Sequence, residues 1–478
     1  MDNRLLQLCY NTFGDAEIGI SPISGQGSNR RYYYIEADGH IYVGTEGENV
    51  AENRAFIYLS RHFSKMGLPV PEVIAVADDE SCYLQTFDGT QSVFDLIAEG
   101  RKSGEFTAEE VKLLAKVISQ LPSLQIKGNE GLYYSKCYPI AEFDARSINW
   151  DLNYFKYCFL KTSIVDIDEP ALEADFDALR ERLLGIDNEM WGFMYRDFQS
   201  RNVMINADGA PTFIDFQGGR RGPVYYDVAS FLWQAKAALP SWLKSQLTDE
   251  YLTALKTQGI EVDDEEFKAT LRYFVVFRLL QVLGAYGFRG RFEKKQHFIE
   301  SISPALASLA ELLCSDEISG EFPELQRLIK ILHEREMAKT EPDHLVVTVG
   351  SFSYKKGLPQ DESGNGGGYV FDCRALHNPG RYDQYKKLTG HDKPVIDFLA
   401  QIPNVTTFLN ACYELVDNSV ATYLRRAFTS LHIWFGCTGG QHRSVYCAEQ
   451  MAQHIADLFP EAEVKLIHRE QPQLANKK

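Results

Sequence analysis

One stretch constrains this chain more than any other: "FMYRDFQSRNVMINADGAPTFIDFQGG", residues 193–219. Two apolar runs, "FMY" and "NVMI", bracket a polar loop, and the turn "NADGAP" leads to a third run, "TFIDF", that carries one carboxylate. Apolar runs this short, punctuated by Asn, Asp, Gly and Pro, predict strands joined by tight loops. Asp197, Asn202 and Asp215 are thereby placed on short loops between apolar strands. Phosphoryl transfer asks for this set. A carboxylate orients the attacking hydroxyl and accepts its proton, and a second carboxylate and an amide oxygen hold Mg²⁺ between phosphates. The spacing predicts Asp197 as base, with Asn202 and Asp215 as metal ligands. The competing reading is a pair of ordinary β-turns with solvated polar residues. The flanking strands and the Asp on the returning strand favour the phosphotransfer site.

Charge and cysteine content narrow the partners. The net charge is −17 over 478 residues. From residue 341 onward 14 Lys and Arg face 15 Asp and Glu, so nearly all of the excess lies in the first 340 residues. An acidic body argues against nonspecific nucleic-acid binding there. Seven of the eleven histidines follow residue 340, and this shift marks a domain boundary. The nine cysteines are scattered with no C-x2-C pair and no zinc spacing, which predicts reduced thiols in a cytoplasmic protein. "MDNRLLQLCYNTFG" is amphipathic and charged, not a signal peptide, and no apolar run is long enough to predict a membrane span.

Residues 20–50 predict two or three strands, with "DG" at 38–39 as a hairpin turn. "ENVAENRAFIYLSRHFSKMG" (48–67) has helical period, and two more strands follow in 71–89. Beyond about 91 the pattern is helical apart from the loop pair at 193–219. "LRYFVVFRLLQVLGAYGFRG" and "PALASLAELL" predict core helices. A new alternation of strands and helices starts at "LVVTVGSFSY". The domain expectations are an N-lobe at 1–89, a C-lobe at 90–335, a linker at 336–343 and a separate domain at 344–478. "GNGGG" (364–368) reads as a flexible loop tip.

"YRDFQSRNVMI…FIDFQGGRRGPVYYDVASFLW" resembles the aminoglycoside-phosphotransferase, or choline-kinase-like, superfamily over roughly residues 5–315. "DFQSRN", "GPVYYDVAS", "GSNRRYYYI" and "RLLQVLGAYGFRG" are most similar to its anomeric kinases for N-acetylmuramate and N-acetylglucosamine. The resemblance implies an α+β protein-kinase-like bilobal fold, with a small β-rich N-lobe and a helical C-lobe, followed here by a separate α/β domain. It implies ATP and Mg²⁺ as cofactors and an amino-sugar acceptor phosphorylated at the anomeric hydroxyl. Arg196 stands beside the base Asp197, and Asp227 matches the structural aspartate that braces the catalytic loop. Gly25, Gly27, Ser28 and Asn29 match the loop that covers the phosphates, and Gln85 to Phe87 the hinge that meets adenine. The sequence departs from the wider pattern at Gly44, where many relatives carry a phosphate-pairing lysine. Arg30 or Arg31 is expected to replace it, with Glu52 on the next helix as its partner. Tyr195 stands where a histidine is usual.

The second domain carries "LHIWFGCTGGQHRSVYCAEQMAQHI": an apolar strand, a glycine-bearing loop and a helix start, a pattern that makes an anion site from backbone N–H groups. Cys437 and Arg443 stand at C-x5-R spacing with Ser444 next. Phosphatase, phosphate-binding sensor and structural turn compete, and binding is favoured because no general-acid aspartate loop is recognisable. "SFSYKKGLP", "YVFDCRALHNPG", "LTGHDKPVIDFL" and "GCTGGQHRSVYCAEQMA" resemble the C-terminal domain of the RapZ RNase-adapter family over about 345–470. That resemblance implies binding of a phosphosugar of the glucosamine-6-phosphate type at Cys437, Thr438, Gly439, Gly440, His442, Arg443 and Ser444, with Arg374, Asn378 and Lys356 as neighbours. It also implies an RNA partner, against which the weakly basic tail "LIHREQPQLANKK" counts. The function expected is thus a sugar kinase fused to a phosphosugar-sensing domain. The alternatives are an RNA-binding adapter whose kinase lobe is a scaffold, or a kinase for aminoglycosides or another alcohol.

Overall fold

The computed structural model describes residues 3–23, 30–87, 89–163, 165–337, 344–359, 367–426 and 428–472. The chain divides into two compact units, Met1–Ala338 and Lys339–Lys478. Of the expected linker, 338–343 lie outside the described residues, while 336 and 337 complete the helix Pro323–Met337. Gly25, Gly27, Ser28, Asn29 and most of the "GNGGG" tip also lie outside the described residues.

The first unit opens with an antiparallel sheet of β1 (Ile18–Ile23), β2 (Arg31–Ala37), β3 (His40–Glu46), β4 (Val73–Val76) and β5 (Cys82–Thr86). Its order is β1-β2-β3-β5-β4. Asp38 and Gly39 turn the chain between β2 and β3 with φ of 51° and 76°, the positive values a two-residue hairpin demands. The helix Asn3–Phe13 covers one face of the sheet by packing Leu5, Leu8 and Cys9 on Tyr33, Ile35 and Leu84. The helix Val50–Lys65 buries Phe56, Leu59 and Phe63 in the main core. Asn53 on it donates to Gly47 O and Glu80 O, both at 2.9 Å, and so pins the helix to the sheet's edge loops.

The rest of this unit is helical around Asp264–Tyr286, whose Phe267, Phe274, Phe277 and Leu280 are fully buried. A helix apolar on every side belongs in a core. Gly284 lets it approach the helix Ala145–Phe155, since a Cβ there would sit 2.8 Å from Phe155 N. Two small sheets interrupt the helices. One joins β6 (Gln91–Ser92), β8 (Val203–Ile205) and β9 (Pro211–Phe213) in the order β6-β8-β9; the other pairs β7 (Trp191–Met194) with β10 (Arg220–Pro223). The loops 195–202 and 214–219 run between the two sheets, so the short strands fix where both loops begin and end.

The second unit is α/β. Strands β11 (Val346–Ser353), β12 (Gly368–Asp372), β13 (Ser430–Cys437) and β14 (Glu463–His468) form a parallel sheet in the order β12-β13-β11-β14. Its core includes Val347, Val349, Ile433, Phe435 and Met451. All carboxyl ends of the strands lie on one edge, where ligand crevices form in open parallel sheets. Cys437 is the last residue of β13, and the helix Arg443–Leu458 follows.

Candidate active site and anion-binding loop

A cavity of about 550 Å³ lies between the five-stranded sheet and the two loops. Arg30, Tyr32 and Tyr34 line it from β2 and the residue before it, Gln85 and Phe87 from the end of β5, and Asp215 and Gln217 from the second loop. Alternation along an extended chain settles which arginine enters. Arg30, Tyr32 and Tyr34 share the cleft face. Arg31 and Tyr33 face the other way, both meeting Glu46, at 3.2 and 3.1 Å. The expectation that Arg31 serves the nucleotide is corrected: it is an exposed partner of Glu46. The same alternation corrects the lysine position. A Cβ on Gly44 would touch Leu5 at 3.1 Å and Ile35 at 3.2 Å, on the face away from the cleft that Val43 lines. A side chain at 44 would point away from the cleft.

Arg30 is tied to the catalytic loops by a chain of polar contacts. Its Nε lies 3.6 Å from Glu52 Oε1. Gln217 Nε2 donates to Glu52 Oε1 at 3.4 Å and to Asp215 Oδ1 at 2.8 Å. The pairing of Glu52 with an arginine is as expected, and Gln217 is an addition that the sequence reading missed although it directly follows "IDF". Asn202 Nδ2 donates to Asp197 O at 2.8 Å and lies 3.4 Å from Asp215 Oδ2. That orientation leaves the Asn202 Oδ1 as the oxygen available to a cation. Burial pushes the Asp215 carboxyl up, the Gln217 hydrogen bond opposes it, and the Asp197 charge adds to the rise. One amide oxygen and one charge-strained carboxylate fit Mg²⁺, which takes its other ligands from phosphates and water.

Arg196 and Asp215 hold φ of 77° and 68°, left-handed values uncommon for such residues. Asp227 over-determines the first. It is fully buried in the first turn of the helix Tyr225–Leu232, where it accepts from Arg196 N through Oδ1 and from Tyr195 N through Oδ2, both at 2.8 Å. Gln125 Nε2 adds a third donor at 3.1 Å. Val224, not Asp227, is the N-cap of that helix, so the Asp227 carboxylate is engaged by the catalytic loop and not by its own helix start. Tyr195 fills the usual histidine's place as a buried ring against Phe198 and Phe216, its hydroxyl donating to Ile214 O.

Asp197 projects beyond this brace and is 45% exposed, open to an acceptor. Arg278 Nη2 lies 3.5 Å from its Oδ1, and Arg196 Nη2 lies 3.7 Å from Asp151 Oδ1. Arg220 is buried beside them, donates to Gly218 O at 3.1 Å, and is pushed down to about 10 by burial and then by the Arg196 charge. Three guanidiniums therefore surround two carboxylates. Arg220 and Arg278 lie within quoted segments and Asp151 within none, but their separation along the chain hid that the three meet at one place.

In the second unit the loop after β13 curls around the Cys437 sulfur. Gly440 N donates to Sγ at 3.2 Å, and Ser444 Oγ lies 3.1 Å away. Gly440 takes φ of 66°, which lets its N–H turn inward. A cavity of about 290 Å³ is lined by Cys437, Thr438, Gly439, His442 and Arg443, with Asn378 and Lys386 at its wall. His442 Nε2 donates to Tyr385 O at 2.9 Å. Arg374 and Asn378 line an adjoining cavity of about 660 Å³, but Arg374 is already held by Asp372 through contacts of 2.7 and 3.0 Å. Lys356 is a correction. It sits in an exposed turn three residues past the end of β11 and lines neither cavity; Lys386, overlooked in the sequence, takes that place.

Comparison with known proteins agrees with this division. The phosphotransferase enzyme family matches residues 19–264, and the RapZ C-terminal domain family matches residues 345–472. A nucleotide-binding protein of Xylella fastidiosa is 39% identical over 135 residues, 28% of this chain and 44% of that protein. One of Pseudoalteromonas atlantica is 35% identical over 176 residues, 36% of this chain and 58% of that protein. The chain thus spans about half the length of the curated relatives it matches. Among solved structures, a choline kinase from Cryptosporidium parvum has 13% identity and a TM-score of 0.48, covering 69% of this chain and 100% of that one. The choline kinase LicA from Streptococcus pneumoniae has 12% identity and a TM-score of 0.44, covering 65% and 99%.

Proposed function

The chain belongs to the phosphotransferase enzyme family, with a RapZ C-terminal domain behind the kinase unit, and from that premise we propose that it is an ATP- and Mg²⁺-dependent cytoplasmic kinase that phosphorylates an N-acetylated amino sugar at its anomeric hydroxyl. The observation that carries the reading is the linked set Arg30–Glu52–Gln217–Asp215–Asn202–Asp197 at one end of the cleft. Arg30 supplies the cation that the third strand lacks, and its guanidinium suits phosphate oxygens. Asn202 and Asp215 would hold Mg²⁺, which when bound neutralises charge on the phosphates. Asp197 takes the proton of the sugar hydroxyl at the oxygen not facing Arg278. The surplus of guanidinium around Asp197 and Asp151 disfavours a polycationic acceptor and suits a neutral or anionic one, which supports an N-acetylated sugar over an aminoglycoside.

The second unit is proposed to sense a phosphosugar of the glucosamine-6-phosphate class. Inward N–H groups, a helix start and Arg443 at one small cavity support this. A panel of amino sugars incubated with ATP and read by product NMR tests the kinase assignment. The expected product carries phosphate at C1. Phosphorylation of another alcohol, with no C1 product anywhere in the panel, would retire the acceptor assignment.

A further inference from the structure

We propose that the RapZ-like unit is also a cysteine-dependent phosphomonoesterase, with Cys437 as the nucleophile and Arg443 as the clamp on the phosphoryl oxygens. This rests on the reading that a phosphate ester occupies the loop 438–442, and goes beyond it by assigning bond cleavage.

The first observation is the setting of the sulfur. Cys437 is 3% exposed but lines the 290 Å³ cavity, so it faces the ligand space and not solvent. Its Sγ receives Gly440 N–H at 3.2 Å and lies 3.1 Å from the Ser444 hydroxyl, and the N–H groups of Gln441 and Ser444 also point to it. Convergent donors stabilise a thiolate and not a thiol. Burial pushes Cys437 up, yet the Ser444 hydroxyl and these N–H groups together bring it below the ordinary thiol range. The other three buried cysteines of this unit, Cys373, Cys412 and Cys447, lie outside the loop, and burial raises Cys373 and Cys412.

The second observation is an arginine with one edge engaged and one edge waiting. Arg443 is 6% exposed. Its Nη1 donates to Arg374 O at 2.8 Å and Leu376 O at 3.0 Å, which fixes the plane of the guanidinium. Its Nε is buried without a hydrogen-bond partner among the described residues. A buried N–H left unpaired is costly, and a phosphoryl oxygen in the cavity that Arg443 lines would satisfy it. Nucleophile and clamp therefore face one space, six residues apart on a single loop.

The chemistry balances without a redox partner. The Cys437 thiolate attacks phosphorus, an S–P bond forms, the ester P–O bond breaks, and the alcohol oxygen leaves with a proton from water. Water then attacks the phosphocysteine, the S–P bond breaks, and inorganic phosphate leaves as the thiolate returns. His442, whose Nε2 hydrogen is given to Tyr385 O, keeps Nδ1 as the basic nitrogen able to take that water's proton. The described cavity lining contains no carboxylic acid to protonate the leaving oxygen. Esters of acidic alcohols should therefore react fastest.

The experiment uses the full chain carrying Asp197→Asn to silence the kinase, without ATP. Phosphate release is measured from p-nitrophenyl phosphate and from glucosamine-6-phosphate, with calorimetry of glucosamine-6-phosphate binding alongside. Expected are turnover of the aryl ester above the sugar ester, a phosphocysteine at 437 trapped by acid quench and found by mass spectrometry, and loss of turnover in Cys437→Ser by on the order of 10,000-fold, far beyond any change in binding. Arg443→Lys should weaken binding and turnover together. Tight binding with no release and no trapped adduct would overturn the hydrolytic proposal and leave the sensor reading intact. Release that persists in Cys437→Ser would also overturn it. Absence of binding in the parent protein would instead remove the phosphosugar reading beneath both.

Discussion

Replacing Asp227 with Asn tests whether the catalytic loop is held in place by one buried carboxylate. Asp227 accepts three donors: Arg196 N on Oδ1, and Tyr195 N and Gln125 Nε2 on Oδ2. Asn offers one oxygen and one NH₂. The better flip keeps the oxygen toward Tyr195 N and Gln125, and then the NH₂ confronts the Arg196 N–H, donor against donor. A charge-assisted bond is lost and a buried N–H is orphaned, together about 3–5 kcal/mol. Spread over the unit Met1–Ala338, that is a fall in melting temperature of about 4–7 °C. Part of the loss would be relieved by Arg196 leaving its left-handed backbone conformation, held at φ 77° in the wild type. Asp197 is the next residue, so the base would move with it, and a displacement near 1 Å costs about 100-fold in kcat. The KM for ATP should change little, because the cleft side chains Arg30, Tyr34 and Gln85 are untouched. Thermal melts and steady-state kinetics on Asp227→Asn are the assay. A variant that melts with the wild type and keeps its kcat would show that the loop does not depend on this brace.

Asp197→Asn should lower kcat by about 100- to 10,000-fold while ATP still binds by calorimetry, since only the proton acceptor is removed; near-native turnover would rule out Asp197 as base. Arg30→Met should raise the KM for ATP by about 10- to 100-fold, the worth of a charge-assisted hydrogen bond, and Arg31→Met should leave it unchanged; equal effects would contradict the strand alternation that separates the two. Glu449 accepts from His391 Nδ1 at 2.7 Å and lies 3.4 Å from His468 Nε2. Burial pushes its carboxyl up, but the two imidazoles hold it below its ordinary 4.5. A depressed folded-state value means that its stabilisation is present above 4.5 and lost as pH falls through the folded value. Glu449→Gln should therefore be less stable at neutral pH, with the gap to wild type closing under acid. Urea unfolding followed by Trp434 fluorescence would show it, and a gap independent of pH would dismiss the ionic role.

The candidate base, its metal ligands and the Cys437–Arg443 loop were legible because each is local. Asp197, Asn202 and Asp215 sit within 19 consecutive residues bounded by short strands, and the phosphate loop within eight. Strand period, turn residues and spacing are properties of contiguous sequence and predicted the elements and the phosphotransfer loops, while the kinase-like lobe ahead of a separate α/β unit was what the family resemblance implied. What remained hidden required knowing which face of a strand looks inward, or which distant helix arrives beside a loop. Arg30 and Arg31 are equivalent as letters; only the pairing of Arg31 opposite Glu46 turns one out and the other in. Gly44 fits the place of a missing lysine by the family's sequence pattern, but the helix Asn3–Phe13 lies on that side of the sheet. Glu52 and Gln217 are separated by 165 residues and meet at 3.4 Å. Arg220 and Arg278 come from a strand and a helix to join Arg196 around Asp197 and Asp151, and so give that end of the site its excess of guanidinium. Lys386 displaces Lys356 for the same reason. Short-range chemistry is written in the order of residues, whereas charge balance around a site is a sum over elements that only packing brings within a few ångströms.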